Sequence, residues 1–126
     1  MRVLLDTMAL IFSVEAPDRL GKRAFAVLKQ PDNVRELSSV SLSEIAIKAA
    51  LGKLNFSAES ARQALYDMDV RILPFTAEHA FQLFELPPHH SDPFDRQIIA
   101  QAFSEGIPVV TSDEKFRAYD GLKIIW

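Results

Sequence analysis

The sequence predicts an α/β fold, a three-layer sandwich in which helices cover both faces of a central parallel sheet. Short apolar runs of strand length alternate along the chain with segments of helix length. Strands separated by helices pair in parallel through right-handed crossovers, and the helices then pack on the two faces of the sheet. The chain has 126 residues, which predicts a single domain over residues 1–126.

The composition excludes several classes of protein. A hydrophobic content of 48% and a charged content of 25% are typical of a globular domain and exclude disordered and collagen-like chains. The chain has no cysteine, which excludes disulfides, a zinc–thiolate site and a thiol nucleophile. Because no apolar stretch of about 20 residues or signal peptide is evident, we expect a cytoplasmic protein without membrane contact. The net charge of −3 by itself disfavours a nucleic-acid partner.

The first half of the chain predicts two strands and four helices. Apolar residues at helical spacing indicate the helices, and serine caps, glycine and proline indicate their ends. The predicted elements are a strand at Val3–Leu5, a helix from Thr7 to about Val14, a helix at Gly21–Lys29 that Pro31 stops, a strand at Leu37–Val40, a helix that Ser41 or Ser43 caps and Gly52 ends, and a helix from Ser57 to about Met68.

The second half predicts three strands, two longer helices and a short helical turn. Proline at the first position of a helix and glycine after its last residue favour the predicted boundaries. The predicted elements are a strand at Val70–Pro74, a helix capped by Thr76, a loop at Pro87–His90, a helix capped by Asp92 and ended by Gly106, a strand at Ile107–Thr111, a turn from Asp113 and a strand at Lys123–Trp126. Helical spacing also predicts that the side chains of Phe25, Phe81, Phe84 and Phe103 lie in the core.

Four acidic residues are predicted to meet at one edge of the sheet. Asp6 follows the first strand and Asp113 follows a later one, while Glu44 and Asp95 are expected in the first turns of two helices. In a parallel α/β sheet, strand carboxyl ends and the following helix amino ends lie on the same edge, where ligands bind. Taken singly, each acid also suits a structural role, as a cap or as a complement to a helix dipole, and Asp92 is interpreted only as a cap.

Converging carboxylates point to a hard divalent cation. Carboxylates within about 4–6 Å of one another repel unless a cation or a proton intervenes. Oxygen ligands without cysteine and with little histidine favour Mg²⁺ or Mn²⁺ over Zn²⁺. Such ions can align a phosphate and a water for in-line displacement. The pattern therefore suggests metal-dependent hydrolysis of phosphodiester bonds.

Several sequence segments together resemble one family. They are Leu4-Leu5-Asp6-Thr7, Ser43-Glu44-Ile45-Ala46-Ile47-Lys48 with Leu51-Gly52-Lys53-Leu54, Asp92-Pro93-Phe94-Asp95-Arg96, and Val110-Thr111-Ser112-Asp113. This series resembles the PIN-domain family and, more narrowly, the VapC-type toxin ribonucleases of type II toxin–antitoxin systems. The resemblance covers about residues 2–126. An aromatic residue is common in the family at the position of Ser43, and a tryptophan is common near Phe12. Neither position carries an acid, so these departures bear on partner contacts or substrate fit and not on the metal site.

The resemblance implies a site, a cofactor and partners. It implies that Asp6, Glu44, Asp95 and Asp113 bind Mg²⁺ or Mn²⁺, and that Thr111 or Ser112 supplies a hydroxyl that orients a ligand or a water. Related proteins cleave structured RNA, frequently transfer RNA, as homodimers that an antitoxin holds inactive. Lys48, Arg96 and Lys115 are expected to contact RNA or to form ion pairs. His89 and His90 are interpreted as solvated loop residues, and either could also contact the substrate.

The expected mechanism is attack of a metal-activated water on phosphorus, which gives 5′-phosphate and 3′-hydroxyl ends. Alternatives are a housekeeping RNA-processing nuclease of the same family, a non-catalytic binding module and a receiver-type domain. A receiver is disfavoured because no phosphoacceptor aspartate follows a middle strand, and a haloacid-dehalogenase-type phosphatase because Met8 occupies the position of its second aspartate. The four acids also bear on the net charge. Without them, 13 of the 17 acidic residues remain against 14 basic ones.

Overall fold

A computed structural model describes all residues, Met1–Trp126, and contains five strands and six α-helices. The elements are β1 (Arg2–Leu5), α1 (Thr7–Glu15), α2 (Lys22–Lys29), β2 (Val34–Ser38), α3 (Ser39–Ala50), α4 (Ala58–Asp67), β3 (Val70–Leu73), α5 (Ala77–Glu85), α6 (Pro93–Glu105), β4 (Val109–Val110) and β5 (Ile124–Ile125). Two short 3-10 turns lie at Pro17–Arg19 and Glu114–Ala118. None of the helices has the length and apolar character needed to cross a membrane.

The five strands form one sheet in the order β3-β2-β1-β4-β5, and every neighbouring pair is parallel. In the register, Leu5 lies opposite Leu37 on one side and opposite Val110 on the other. The chain runs outward from β1 to β3 and then returns to the other side of β1 at β4. The order therefore reverses between β1 and β4, and α/β sheets bind ligands at the carboxyl end of such a switch point.

Helices cover both faces of the sheet, as the sequence predicts, because alternate strand residues point to opposite sides. Val3 and Leu5 belong to a core cluster that contains residues of α1, α2, α3 and α4. Leu4 belongs to a second cluster that contains residues of α6 and Phe116 from the second 3-10 turn. This two-sided packing confirms the predicted sandwich.

The second strand lies earlier than predicted. The sequence indicates a strand at Leu37–Val40, whereas β2 spans Val34–Ser38 and α3 begins at Ser39. The cap of α3 is Ser38, whose hydroxyl accepts a hydrogen bond from the Val40 amide, so neither Ser41 nor Ser43 is the cap. As a consequence, Glu44 lies in the second turn of α3 and not in its first turn.

The start of β2 has no apolar pattern in the sequence because it contains two charged residues. Arg35 and Glu36 are both buried, yet both are paired. Two guanidinium nitrogens of Arg2 donate to the Glu36 carboxylate at 2.7 and 3.0 Å. The Arg35 guanidinium donates to the carbonyls of Leu28, Gln30 and Met68. Hydrogen bonds to charged groups offset the cost of removing them from water, and a central strand can therefore carry them.

Three of the four phenylalanines predicted in the core are exposed. The exposed fractions are 45% for Phe25, 66% for Phe81 and 87% for Phe84, so this prediction is wrong for them. Only Phe103 is half-buried, against the second core cluster. On α5 the buried His79 and the half-buried Leu83 face the protein, and the rings of Phe81 and Phe84 stack on each other outside it. The strands β4 and β5 are also shorter than predicted, with two residues each.

Candidate active site

Asp6 lies at the carboxyl end of β1, where it also begins helix α1. Its Oδ1 accepts a hydrogen bond from the Ala9 amide at 2.7 Å, and its Oδ2 accepts one from the Thr111 hydroxyl at 2.5 Å. Burial raises the pKa of Asp6 to about 6, although both hydrogen bonds oppose that shift. Asp113 and Glu44 raise it further through like-charge repulsion. A nearby cation would strongly stabilise the charged form of a carboxylate that is buried and repelled by other acids in this way.

Glu44 reaches the same place from helix α3. Its Oε1 accepts a hydrogen bond from the Thr7 hydroxyl at 2.6 Å, and its Oε2 forms an ion pair with Lys48 one turn along the helix. The Ser41 hydroxyl lies 2.9 Å from that of Thr7. Glu44 is buried and Lys48 is half-exposed. Both carboxylate oxygens are thus held by hydrogen-bond donors on α1 and α3.

Asp95 lies in the first turn of α6. The Asp92 carboxylate caps this helix and accepts a hydrogen bond from the Asp95 amide at 2.9 Å. Burial raises the pKa of Asp95 to about 7, and repulsion by Asp92, Glu44, Asp113 and Asp6 adds to the shift. Near neutral pH this acid is therefore poised between its charged and neutral forms.

Asp113 caps the 3-10 turn that follows β4. Its Oδ1 accepts a hydrogen bond from the Lys115 amide at 3.0 Å, and its own amide donates to the Thr111 hydroxyl oxygen at 3.0 Å. Because the same hydroxyl donates to Asp6, the buried Thr111 connects two of the four acids across the strand switch point. Ser112 lines the cavity beside Thr111.

The four predicted acids line one cavity of about 380 Å³ at the carboxyl end of the sheet. Its complete lining is Asp6, Thr7, Met8, Phe12, Glu44, Lys48, Asp92, Asp95, Ser112, Asp113 and Lys115. Five carboxylates in this lining face two lysines. The structure therefore places a concentrated negative charge where α/β sheets bind their ligands.

The donor set suits a hard divalent cation. Carboxylate and hydroxyl oxygens make up most of the polar lining of the cavity, which contains no cysteine or histidine, and oxygen donors of this kind are preferred by Mg²⁺ and Mn²⁺. No group of three Asp, Glu or His side chains is already arranged to hold an ion. In this conformation Asp6, Glu44 and Asp113 accept hydrogen bonds from protein donors.

Two predicted neighbours of the site behave differently from expectation. Arg96 forms no ion pair with an acid; its guanidinium donates to the carbonyls of Leu86, Pro87 and His90 and to the Tyr119 hydroxyl. It therefore anchors the loop before α6 through the backbone. His90 is not a solvated loop residue, since its side chain is only 9% exposed.

Sequence reasoning missed two contributors to the cavity. The first is Thr7, whose hydroxyl donates to the Glu44 carboxylate. A signal for this contact was present in the sequence, because Thr7 directly follows Asp6 and a threonine hydroxyl can donate a hydrogen bond to a nearby carboxylate. Asp92 caps α6 as predicted and also lines the cavity, so its capping role does not exclude a second one.

Comparisons with known proteins agree with this architecture. The model of the family described as PIN domain matches residues 3–122. A search of curated proteins gives no significant match.

Three solved structures share the fold over almost their whole length. The VapBC2 structure from Rickettsia felis, bound to a DNA fragment from its promoter, superposes with a TM-score of 0.69 and 19% identity, covering 98% of this chain and 97% of the other. VapBC-1 from nontypeable Haemophilus influenzae superposes with a TM-score of 0.69 and 20% identity, covering 98% of this chain and 96% of the other. VapBC-5 from Mycobacterium tuberculosis is described as a member of the VapBC family of toxin–antitoxin systems. It superposes with a TM-score of 0.63 and 24% identity, covering 98% of this chain and 97% of the other.

Structural similarity at such low sequence identity shows a common fold only, so the activity has to be argued from the residues of the site. The family match, in contrast, extends over nearly the entire chain and includes all four acids. The chain belongs to the PIN domain family.

Proposed function

We propose that the chain is a metal-dependent endoribonuclease, the toxin of a type II toxin–antitoxin system, that hydrolyses phosphodiester bonds in structured RNA. One observation carries the proposal: Asp6, Glu44, Asp95 and Asp113 come from four separate elements and line one cavity at the strand switch point. Membership of a family of nucleases supports the reaction class. A cation held by carboxylates can activate a water directly, and this favours attack by water.

The side chains have separable roles in this proposal. Asp6, Glu44, Asp95 and Asp113 would hold Mg²⁺ or Mn²⁺, which when bound would neutralise the charge that develops on the phosphate oxygens and activate a water. The Thr111 hydroxyl fixes the Asp6 carboxylate, and the Thr7 hydroxyl fixes that of Glu44. Lys48 and Lys115, at the cavity wall, supply positive charge for the phosphates of the substrate.

Cleavage of RNA by the purified chain tests the reaction class. With transfer RNA as the first substrate, we expect cleavage in Mn²⁺ or Mg²⁺ and none after addition of a chelator. Asp95→Asn should reduce the rate at least a hundredfold, whereas Asp120→Asn, which alters an exposed acid outside the cavity, should not change it. Chelator-resistant cleavage would contradict metal dependence. No cleavage of any structured RNA would favour a non-catalytic binding module, and labelling of one aspartate by acetyl phosphate would favour a receiver.

The toxin assignment includes a partner protein and a homodimer. One of the similar structures, VapBC-5, is described as a member of a family of toxin–antitoxin systems, and we extend an antitoxin partner to this chain as part of the proposal. Expression in bacteria should arrest growth, and co-expression of the small protein encoded beside it should restore growth. A housekeeping RNA-processing nuclease would instead be tolerated on expression without a partner.

An apolar groove offers a place for the antitoxin. It lies between α3 and α4, has a volume of about 250 Å³, and eight of its ten lining residues are hydrophobic. Hydrophobic grooves can accept the apolar face of a partner helix. Ala49→Glu, in the groove, should prevent co-purification with the antitoxin and leave cleavage unchanged, whereas Ala50→Glu, outside it, should affect neither. Retained binding by Ala49→Glu would place the antitoxin elsewhere.

A further inference from the structure

His90 lies against the candidate site without being one of its acids. Its side chain is 9% exposed, and its Nε2 lies 3.5 Å from Oδ2 of Asp95. This Nε2 is buried and has no hydrogen-bond partner. The other ring nitrogen, Nδ1, lies 2.6 Å from the Tyr119 hydroxyl oxygen. A buried polar atom without a partner is uncommon in folded proteins and needs an explanation.

Arg96 determines which ring nitrogen of His90 carries the proton. The guanidinium can only donate, and its Nη1 lies 3.2 Å from the Tyr119 hydroxyl oxygen, so that oxygen accepts from Arg96. The hydroxyl proton of the buried Tyr119 then has one acceptor within reach, Nδ1 of His90. Nδ1 is therefore an acceptor, and Nε2 carries the proton that points toward Asp95.

Asp95 is the only one of the four acids whose carboxylate has no hydrogen-bond donor. Asp6 accepts from Ala9 and Thr111, Glu44 accepts from Thr7 and Lys48, and Asp113 accepts from Lys115. His90 Nε2 lies 3.5 Å from Oδ2 of Asp95, just beyond hydrogen-bond distance. A hydrogen bond of about 2.9 Å needs a shift of only a few tenths of an ångström.

We propose that His90 is a positioning residue for Asp95: its Nε2–H, oriented by the chain Arg96–Tyr119–His90, fixes the Asp95 carboxylate when that carboxylate binds a divalent cation. The proposal rests on the proposed function, because it assigns Asp95 to the cation. Donors behind a ligating carboxylate usually strengthen metal binding, and their loss costs roughly 10–100-fold in affinity or activity. His90 gives Asp95 the support that the other three acids receive from their own donors.

Binding of Mn²⁺ to the purified chain, measured by calorimetry, provides the test. We expect His90→Leu, which removes both ring nitrogens, to weaken Mn²⁺ binding about tenfold or more. His90→Gln keeps an N–H donor near the position of Nε2 and should recover affinity to within about threefold. Tyr119→Phe should lie between them, because it removes the group that orients the ring. The control is Glu59→Gln, which alters an exposed residue of α4 outside the cavity lining and should bind like wild type.

A spectroscopic measurement supports the binding series without depending on any variant. In ¹⁵N NMR of the wild-type chain, His90 should show a protonated Nε2 and an unprotonated Nδ1. The opposite tautomer would overturn the proposal even where His90→Leu fails to fold. Equal Mn²⁺ affinity of a folded His90→Leu and wild type would also overturn it while the proposed function stands. Absence of Mn²⁺ binding by wild type would instead contradict the proposed function itself.

Discussion

At the scale of single residues, Asp95 is the acid under the greatest electrostatic pressure. Burial and four neighbouring carboxylates raise its pKa to about 7, while that of Asp6 rises to about 6. An aspartate in the unfolded chain titrates near 3.9. The folded chain without cations therefore loses stability from Asp95 as the pH rises from about 4 to about 7, because ionisation costs more in the folded state than in the unfolded one.

This sign gives a prediction for Asp95→Asn. In chelator at pH 8, the variant should be more stable than wild type by on the order of 1–3 kcal/mol, and the difference should shrink toward pH 4.5. Urea unfolding at the two pH values measures the free energy of unfolding, with Asp120→Asn as the control for an exposed acid. A variant that is less stable than wild type at pH 8 would contradict the repulsion described here.

Thr111 gives a second prediction, because its hydroxyl serves two acids at once. Thr111→Val keeps the shape but removes the donor to Asp6 and the acceptor of the Asp113 amide. We expect a loss of about 1–3 kcal/mol in the free energy of unfolding and a rate of RNA cleavage reduced roughly 10–100-fold. Thr111→Ser should recover most of both. Wild-type cleavage by Thr111→Val would show that Asp6 needs no fixed orientation.

The acids themselves could be predicted from the sequence, but their supporting residues could not. Asp6 stands directly after an apolar run and Asp113 three positions after the end of another, and this local pattern places them at strand ends. The Thr7 contact to Glu44 spans 37 positions, and the Tyr119 contact to His90 spans 29. Such contacts depend on how the elements pack, and no local pattern encodes them.

At the scale of the elements, a charged network joins β1, β2, α5 and α6 near the start of β1. Arg2 donates to Glu36 and to Glu105, and the buried His79 lies with its Nε2 2.9 Å from Glu105 Oε2. The His79 Nδ1 accepts from the Thr76 amide, so Nε2 carries the proton. This network explains why β2 contains charges and why an apolar pattern placed that strand too late.

Glu105 provides the corresponding prediction. Hydrogen bonds from His79 and then Arg2 lower its pKa. The stabilisation is therefore fully present above the unfolded value of about 4.3 and is lost as the pH falls through the lower folded value. Glu105→Gln should reduce the free energy of unfolding at pH 7 by about 1–3 kcal/mol, and the difference should narrow toward pH 3.5. The matched control is Glu85→Gln, at an exposed position of α5. Equal stability at pH 7 would contradict the network's role.

Helical periodicity identified α5 correctly but not the direction in which its aromatic residues face. Phe81 and Phe84 are three positions apart and share one face, as a core stripe would. The structure directs the buried His79 toward the protein instead, where it meets Glu105 and Gln101 of α6. A polar residue is buried here because its partners lie on another helix, and that information is absent from α5 alone.

At the scale of the whole molecule, the alternation of apolar runs and helices sufficed to predict the parallel sandwich. This alternation could not predict the order of the strands, because the position of β4 beside β1 depends on pairing between residues more than 100 positions apart. That pairing creates the switch point and brings Thr111 to Asp6. The structure also shows where the net charge of −3 lies. Five carboxylates are gathered in one cavity, and acidic and basic residues nearly balance over the rest of the chain.

The chemistry of the RNA ends tests the central claim most directly. Transfer RNA cleaved by the Mn²⁺-supplied wild-type chain should carry 5′-phosphate and 3′-hydroxyl ends, because water attacks phosphorus and the ribose 2′-hydroxyl takes no part. The same cleavage should disappear with chelator and with Asp95→Asn. Products with 2′,3′-cyclic phosphate ends, or cleavage that survives the chelator, would contradict hydrolysis by water at a cation held by Asp6, Glu44, Asp95 and Asp113.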